Sequence, residues 1–158
     1  MISNLLAQNA FFKGLDPAEL DLFIEIAEEK TFANDEMIFK EGSKGDKMYL
    51  IISGTIEIWK SEDTQARGSR LARLREGEIF GEMALFDQGP RSATAVASLN
   101  KETKLIIWQD EKIAKLINVH PETGNKILNN ILRKLSHRLR IANDAIHTLL
   151  RANQYVAI

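Results

Sequence analysis

Between Lys30 and Gln109 the apolar residues arrive in short bursts, each closed by a glycine or a polar turn. "EMIFKEG", "KMYLIISG", "TIEIWKS" and "RLARLREG" come first, and "RSATAVAS" and "TKLIIWQ" follow. The bursts are too short for helices and rich in β-branched side chains, so they read as strands. In "TIEIWK", Ile56 and Ile58 alternate with Thr55 and Glu57, the period of a strand with one buried face. Many short strands at roughly even spacing predict a small sandwich or barrel. The polar stretch "SEDTQARGS" reads as a mobile hairpin loop, with Arg67 and Arg70 in solvent. Trp59 and Trp108 fall on strand-like runs and are expected in the core or at its rim.

Helices flank this region. In "GLDPAELDLFIEIAEE", Asp16 stands as N-cap, Pro17 at the first helical position and Glu19 at the third, a capping-box start. Leu20, Phe23, Ile24 and Ala27 repeat behind it at helical spacing. After Gln109 the strands stop. "DEKIAKLINVH" predicts a short helix capped by Asp110, and Pro121 restarts the chain into a helix running to about Ala152. There Leu128, Leu135, Ala142 and Leu149 recur every seven residues, with Leu132, Leu139 and Ile146 beside them. Such a stripe, with Arg and Lys on the other faces, predicts a self-association helix and hence a homodimer. The expected division is a β-rich unit with N-terminal helices over residues 1–120 and a C-terminal helix over 121–158.

Composition narrows the function. With 158 residues, 44% of them apolar and 27% charged, the chain can bury a real core. A net charge of −1 gives no electrostatic case for nucleic acid or an anionic membrane. The absence of cysteine excludes disulfides, thiolate metal sites and cysteine nucleophiles, and fits a cytoplasmic location. No apolar run is long enough to cross a bilayer. His120, His137 and His147 form no ligand pair, so no metal is expected. No nucleophile-elbow sequence occurs and no acid or metal partners Glu82, so the chain is not read as an enzyme.

The informative stretch is "IFGEMALFDQGPRSATAVA". Gly81 lets the backbone turn sharply and approach a ligand. "EMALF" is about one helical turn, whose N-terminus offers unpaired N–H groups to an anion. Arg91 follows a Gly-Pro corner that returns the chain to the same point, and a guanidinium holds phosphate by two parallel hydrogen bonds. Ser92 adds a hydroxyl. Glu82 leaves two readings open. It closes the loop as an ion pair with Arg91, or it accepts the 2′-hydroxyl of a ribose phosphate whose anionic end Arg91 holds.

This stretch closely resembles the phosphate-binding cassette of cyclic nucleotide-binding domains. The likeness extends to "FFKGLDPAELDLF", "MIFKEGSKGDKMYLIISGTIEI" and "LREGEIFGE", and so covers most of the chain. The resemblance implies a mainly β fold with flanking helices, a β-roll or jelly roll with a long C-terminal helix. It implies that Glu82 takes the ribose 2′-hydroxyl and Arg91 the cyclic phosphate. Gly81, Met83 and Ala84 would then give backbone contacts, while Ser92 and Ala93 finish the cradle. "HRLRIAND" is similar to the dimer helix of the family's bacterial activator. Where that helix has two consecutive hydroxyl residues facing the base, this chain has Ala142 and Asn143. The Asn143 amide can both donate to and accept from an adenine edge. The expected ligand is therefore cyclic AMP, with cyclic GMP second. Arg138, one turn earlier, is within reach of the pocket, with solvation the preferred of the two readings. The expected function is a cyclic nucleotide receptor that signals by moving its C-terminal helix. The rivals are the sensor half of a DNA-binding regulator and a non-binding scaffold of the same fold. The chain stops short of a helix-turn-helix, so on this reading it does not bind DNA by itself.

Overall fold

The computed structural model describes residues 2–62, 65–83, 89–98 and 102–156. Helix α1 (Ile2–Gln8), a 3-10 turn (Ala10–Phe12) and α2 (Pro17–Glu25) open the chain. Eight strands follow: β1 (Glu28–Phe32), β2 (Met37–Phe39), β3 (Lys47–Ser53), β4 (Thr55–Glu62), β5 (Gln65–Arg75), β6 (Ile79–Phe80), β7 (Thr94–Ala97) and β8 (Thr103–Gln109). Helices α3 (Asp110–Val119) and α4 (Pro121–Val156) complete the described chain. The strands form two four-stranded antiparallel sheets, ordered β1-β8-β3-β6 and β2-β7-β4-β5.

The central strands show why their apolar runs are unbroken. On β3, Tyr49 and Ile51 point between the sheets, where they meet Phe32, Ile56, Phe80, Leu105 and Ile107. Met48 and Leu50 point the other way, into a second core with Phe12, Phe23, Trp108, Ile113 and Ile127. Trp108 is fully buried and donates from Nε1 to the Phe23 carbonyl at 2.8 Å. A strand covered on both faces needs no polar alternation. One sheet thus carries a sandwich core on one side and a helical layer on the other.

α2 starts at its sequence signal. Asp16 Oδ1 accepts from Glu19 N at 2.9 Å, and Glu19 Oε2 accepts from Asp16 N at 2.8 Å. It ends sooner than its apolar spacing suggests, leaving Ala27 outside. Glu28 and Glu29 pair instead with Ile107 and Ile106 of β8, so a neighbouring strand satisfies backbone groups that another helical turn would have used. The "SEDTQARGS" stretch is mostly strand, not loop: β4 and β5 pair as far as Glu62 and Gln65. Arg70 is not simply solvated, since it joins Arg73 around Glu57 at 3.2 and 2.7 Å. The Arg67 side chain lies outside the described residues. Asp110 is the first residue of α3 rather than its cap. Gln109 takes the cap position, and Asp110 Oδ1 accepts from the next backbone N–H at 2.7 Å.

α4 has two parts. Its beginning belongs to the helical core through buried Ile127 and Ile131. Asn130 donates to the Phe11 and Lys13 carbonyls at 3.0 and 2.8 Å, tying the helix to the 3-10 turn. Thr123 and Lys126 donate to the Glu19 carboxylate at 2.8 and 2.7 Å. Beyond Ile131 the apolar stripe leaves the domain surface uncovered. Leu132, Leu135, Leu139, Ile146 and Leu149 are 37% to 68% exposed.

Candidate ligand-binding site

The Gly-Pro corner is held from across the fold. Gly42 N donates to the Arg91 carbonyl and Arg91 N to the Ser43 carbonyl, both at 2.8 Å, and Pro90 bridges to Lys44. This anchors the start of β7 and sends the Arg91 side chain inward, where the residue is only 3% exposed. Its Nη1 donates to the Gly81 carbonyl at 3.0 Å and its Nη2 to the Lys47 carbonyl at 2.8 Å. Among the described residues the buried Nε has no partner. Gly81 is required at the contact: its φ is +75°, and a Cβ there would stand 2.8 Å from Arg91 Nη1.

Burial is the main influence that lowers the Arg91 guanidinium below its ordinary value, opposed by Tyr49, Asp46 and Asp110. Burial likewise pushes the Tyr49 phenol up, against the pull of Arg91. The guanidinium carbon lies 4.2 Å from the centre of the Phe39 ring and 5.7 Å from that of Tyr49. A desolvated cation resting on aromatic faces and carbonyls, with its Nε–H unused among the described residues, is suited to an anion.

Glu82 is also buried and lines the same cavity of about 510 Å³ as Gly81, Met83, Arg91, Ser92 and Ala93. These residues, which the sequence groups in one stretch, line one cavity. The alternative ion pair of Glu82 with Arg91 does not form among the described residues. Glu82 Oε1 faces Lys134 Nζ at 2.8 Å and Arg138 Nη1 at 3.2 Å, both from α4. Both cations approach off the hydrogen-bond direction, so this is a Coulombic pairing and Oε1 accepts no aligned hydrogen bond. Arg138 thus lines the cavity wall, with its side chain still 49% exposed. Lys134, which sequence reasoning did not single out, stands one helical turn before it. Their i, i+4 spacing puts both on one face, and that spacing was the available signal.

One expected residue cannot be compared with the cavity and one lies away from it. Ala84 lies outside the described residues, as does most of the "EMALF" turn; Met83 is helical and 44% exposed. Asn143 is exposed on α4 and does not line this chain's cavity. His137 and His147 are exposed on the same helix, His120 is half-buried, and no cluster suited to a metal occurs among the described residues. No described helix is long and apolar enough to cross a membrane.

The site is thus a cavity in a two-sheet roll, with an inward arginine and carboxylate and a helix closing one side. The chain belongs to the cyclic nucleotide-binding domain family, which it matches over residues 29–120. It is 34% identical to the cyclic AMP receptor protein of Thermus thermophilus over 132 residues, covering 84% of this chain and 58% of that protein. It therefore spans less than two thirds of that relative's length. The crystal structure of the Thermus thermophilus catabolite activator protein superposes with a TM-score of 0.78 at 33% identity, covering 89% of this chain and 63% of the other. The N-terminal domain of a transcriptional regulator from Streptomyces coelicolor superposes at 0.76 with 32% identity, covering 90% and 94%.

Proposed function

We propose that the cavity is a receptor site for cyclic AMP and that α4 carries the signal of its occupation. The observation that carries this reading is the buried Arg91, whose Nε is unpaired, in one cavity with the buried Glu82. In this reading Arg91 holds the cyclic phosphate, with Gly81, Met83, Ala84, Ser92 and Ala93 around it. Glu82 takes the ribose 2′-hydroxyl, which supplies the aligned hydrogen bond that Oε1 lacks. Because Lys134 and Arg138 hold the same carboxylate, ligand and helix compete for one group. α4 then has different partners in the free and bound states, and that difference in affinity shifts its position.

The stripe on α4 supports a homodimer. Leu132, Leu139 and Ile146 fall at a positions and Leu128, Leu135, Ala142 and Leu149 at d, which sets Arg138 at g and Asn143 at e. In a parallel pair, g of one helix lies beside e of the other. Asn143, exposed on its own chain, would then stand next to Arg138 of the partner and so at the partner's cavity, where its amide meets the base.

Calorimetric titration with cyclic AMP and cyclic GMP tests the assignment. The expected result is a preference for cyclic AMP of about tenfold, roughly 1.4 kcal/mol, which shrinks in Asn143→Ala. Equal or reversed affinities would sink the cyclic AMP assignment, and no binding of either would leave the scaffold reading. The second reading, a sensor half of a DNA-binding regulator, is favoured by the likeness to the Streptomyces coelicolor domain. On that reading the gene codes for a helix-turn-helix beyond Ile158.

A further inference from the structure

We infer that Phe39 is a positioning residue of the anion site, the ring on which the Arg91 guanidinium is oriented. This rests on the assignment of Arg91 to the ligand phosphate.

β2 is a short edge strand, and its pairing with β7 shifts register between Met37 and Phe39. An irregularity of this kind re-aims a side chain, and such features gather at sheet edges beside binding sites. Here it accompanies a large aromatic side chain that lines the cavity while also packing against the edge of the sandwich core. Phe39 is half-buried and meets Tyr49 and Phe80 from the opposite sheet, at ring separations of 5.6 and 5.9 Å. Tyr49 and Phe80 are themselves stacked at 5.0 Å. The three rings join the sheets beside the buried guanidinium.

Arg91 needs that support because its contacts among the described residues include no carboxylate. Two carbonyls accept from its terminal nitrogens, which fixes the fork at one end only. On this inference the ring, whose centre lies 4.2 Å from the guanidinium carbon, holds the plane. A planar cation held in plane presents its free Nε in one direction, so less order is lost when an anion binds. An aliphatic side chain at position 39 would fill much of the volume but leave the guanidinium free to tilt.

The test is a cycle of Phe39→Leu, Arg91→Gln and the double variant, titrated with cyclic AMP, with Phe39→Tyr as the conservative control. Phe39→Leu is expected to weaken binding about tenfold, in line with a desolvated cation–π contact. It is expected to cost less than twofold more once Arg91 is glutamine, since the charge the ring supports is gone. Phe39→Tyr is expected to recover most of the loss. A second measurement needs no nucleotide: the Arg91 Nε–Hε proton signal in the free protein should move when Phe39→Leu removes the ring current. Equal losses with arginine and glutamine at position 91, or an unmoved Arg91 signal in folded Phe39→Leu, overturns this inference and leaves the receptor assignment standing. Failure of the wild type to bind cyclic AMP or cyclic GMP overturns both.

Discussion

Replacing Arg91 by alanine separates binding from folding. In the folded chain the guanidinium is buried, donates to two carbonyls and leans on Phe39. Against these gains stands the cost of removing a charge from water, which shows as the lowered guanidinium pKa. The two largely offset, and loss of the side chain opens the freed Gly81 and Lys47 carbonyls to water from the cavity that Arg91 lines. The expected change in unfolding free energy is therefore small, about 1 kcal/mol. Binding is different. The phosphate loses a charge-assisted contact in a site where little water screens it, a loss of roughly 2–4 kcal/mol. That range corresponds to about thirtyfold to a thousandfold weaker binding. Titration calorimetry with cyclic AMP reads the affinity, and thermal unfolding on the same samples reads the fold. Affinity within threefold of wild type would mean that the phosphate is held elsewhere. A variant that cannot fold would mean that Arg91 is chiefly structural.

Leu135→Glu with Leu149→Glu should give a folded monomer in sedimentation, because each leucine contributes roughly 1.5–3 kcal/mol when its side chain is buried; an unchanged dimer places the interface away from the α4 stripe. Glu19 ties α2 to α4. Burial pushes its carboxyl up, but hydrogen bonds from Lys126, Asp16 and Thr123 outweigh that and leave it below the ordinary value. Its contribution is therefore complete above the ordinary carboxyl pKa of 4.5 and fades as pH falls through the lower folded value. Wild type should melt above Glu19→Gln at pH 7, and the gap should close on acidification; a gap that widens reverses the sign.

What the sequence discloses here is what short-range chemistry dictates. The capping box at Asp16 and Glu19 depends on four neighbouring residues, and it forms as written. The heptad stripe of α4 is visible because one helix carries it all. The unbroken run around Met48–Ile51 marks a strand, though not that its two faces enter different cores. β1 is hidden because four of its five residues are exposed and only Phe32 turns inward. Its state is decided by β8, some seventy residues away in the chain. The same holds at the site. Gly81, Glu82 and Arg91 announce themselves by spacing within one loop. Lys134 and Arg138 reach Glu82 from a helix about fifty residues later, and their i, i+4 spacing shows a shared face but not that the face meets Glu82. The Phe39 contact was hidden likewise, since its ring meets a guanidinium about fifty residues away in the chain.

The claim that Glu82 takes a ribose hydroxyl beside a phosphate held by Arg91 is tested most directly by pairing two deletions of one hydrogen bond. Wild type and Glu82→Gln are each titrated with cyclic AMP and with 2′-deoxy cyclic AMP. Either change alone should weaken binding by about tenfold or more, as expected for a hydrogen bond to a charged group. Both together should cost little more than one, because each removes the same contact. Fully additive losses, or a deoxy ligand that binds wild type as tightly as cyclic AMP, would show that Glu82 serves the helix and not the ribose.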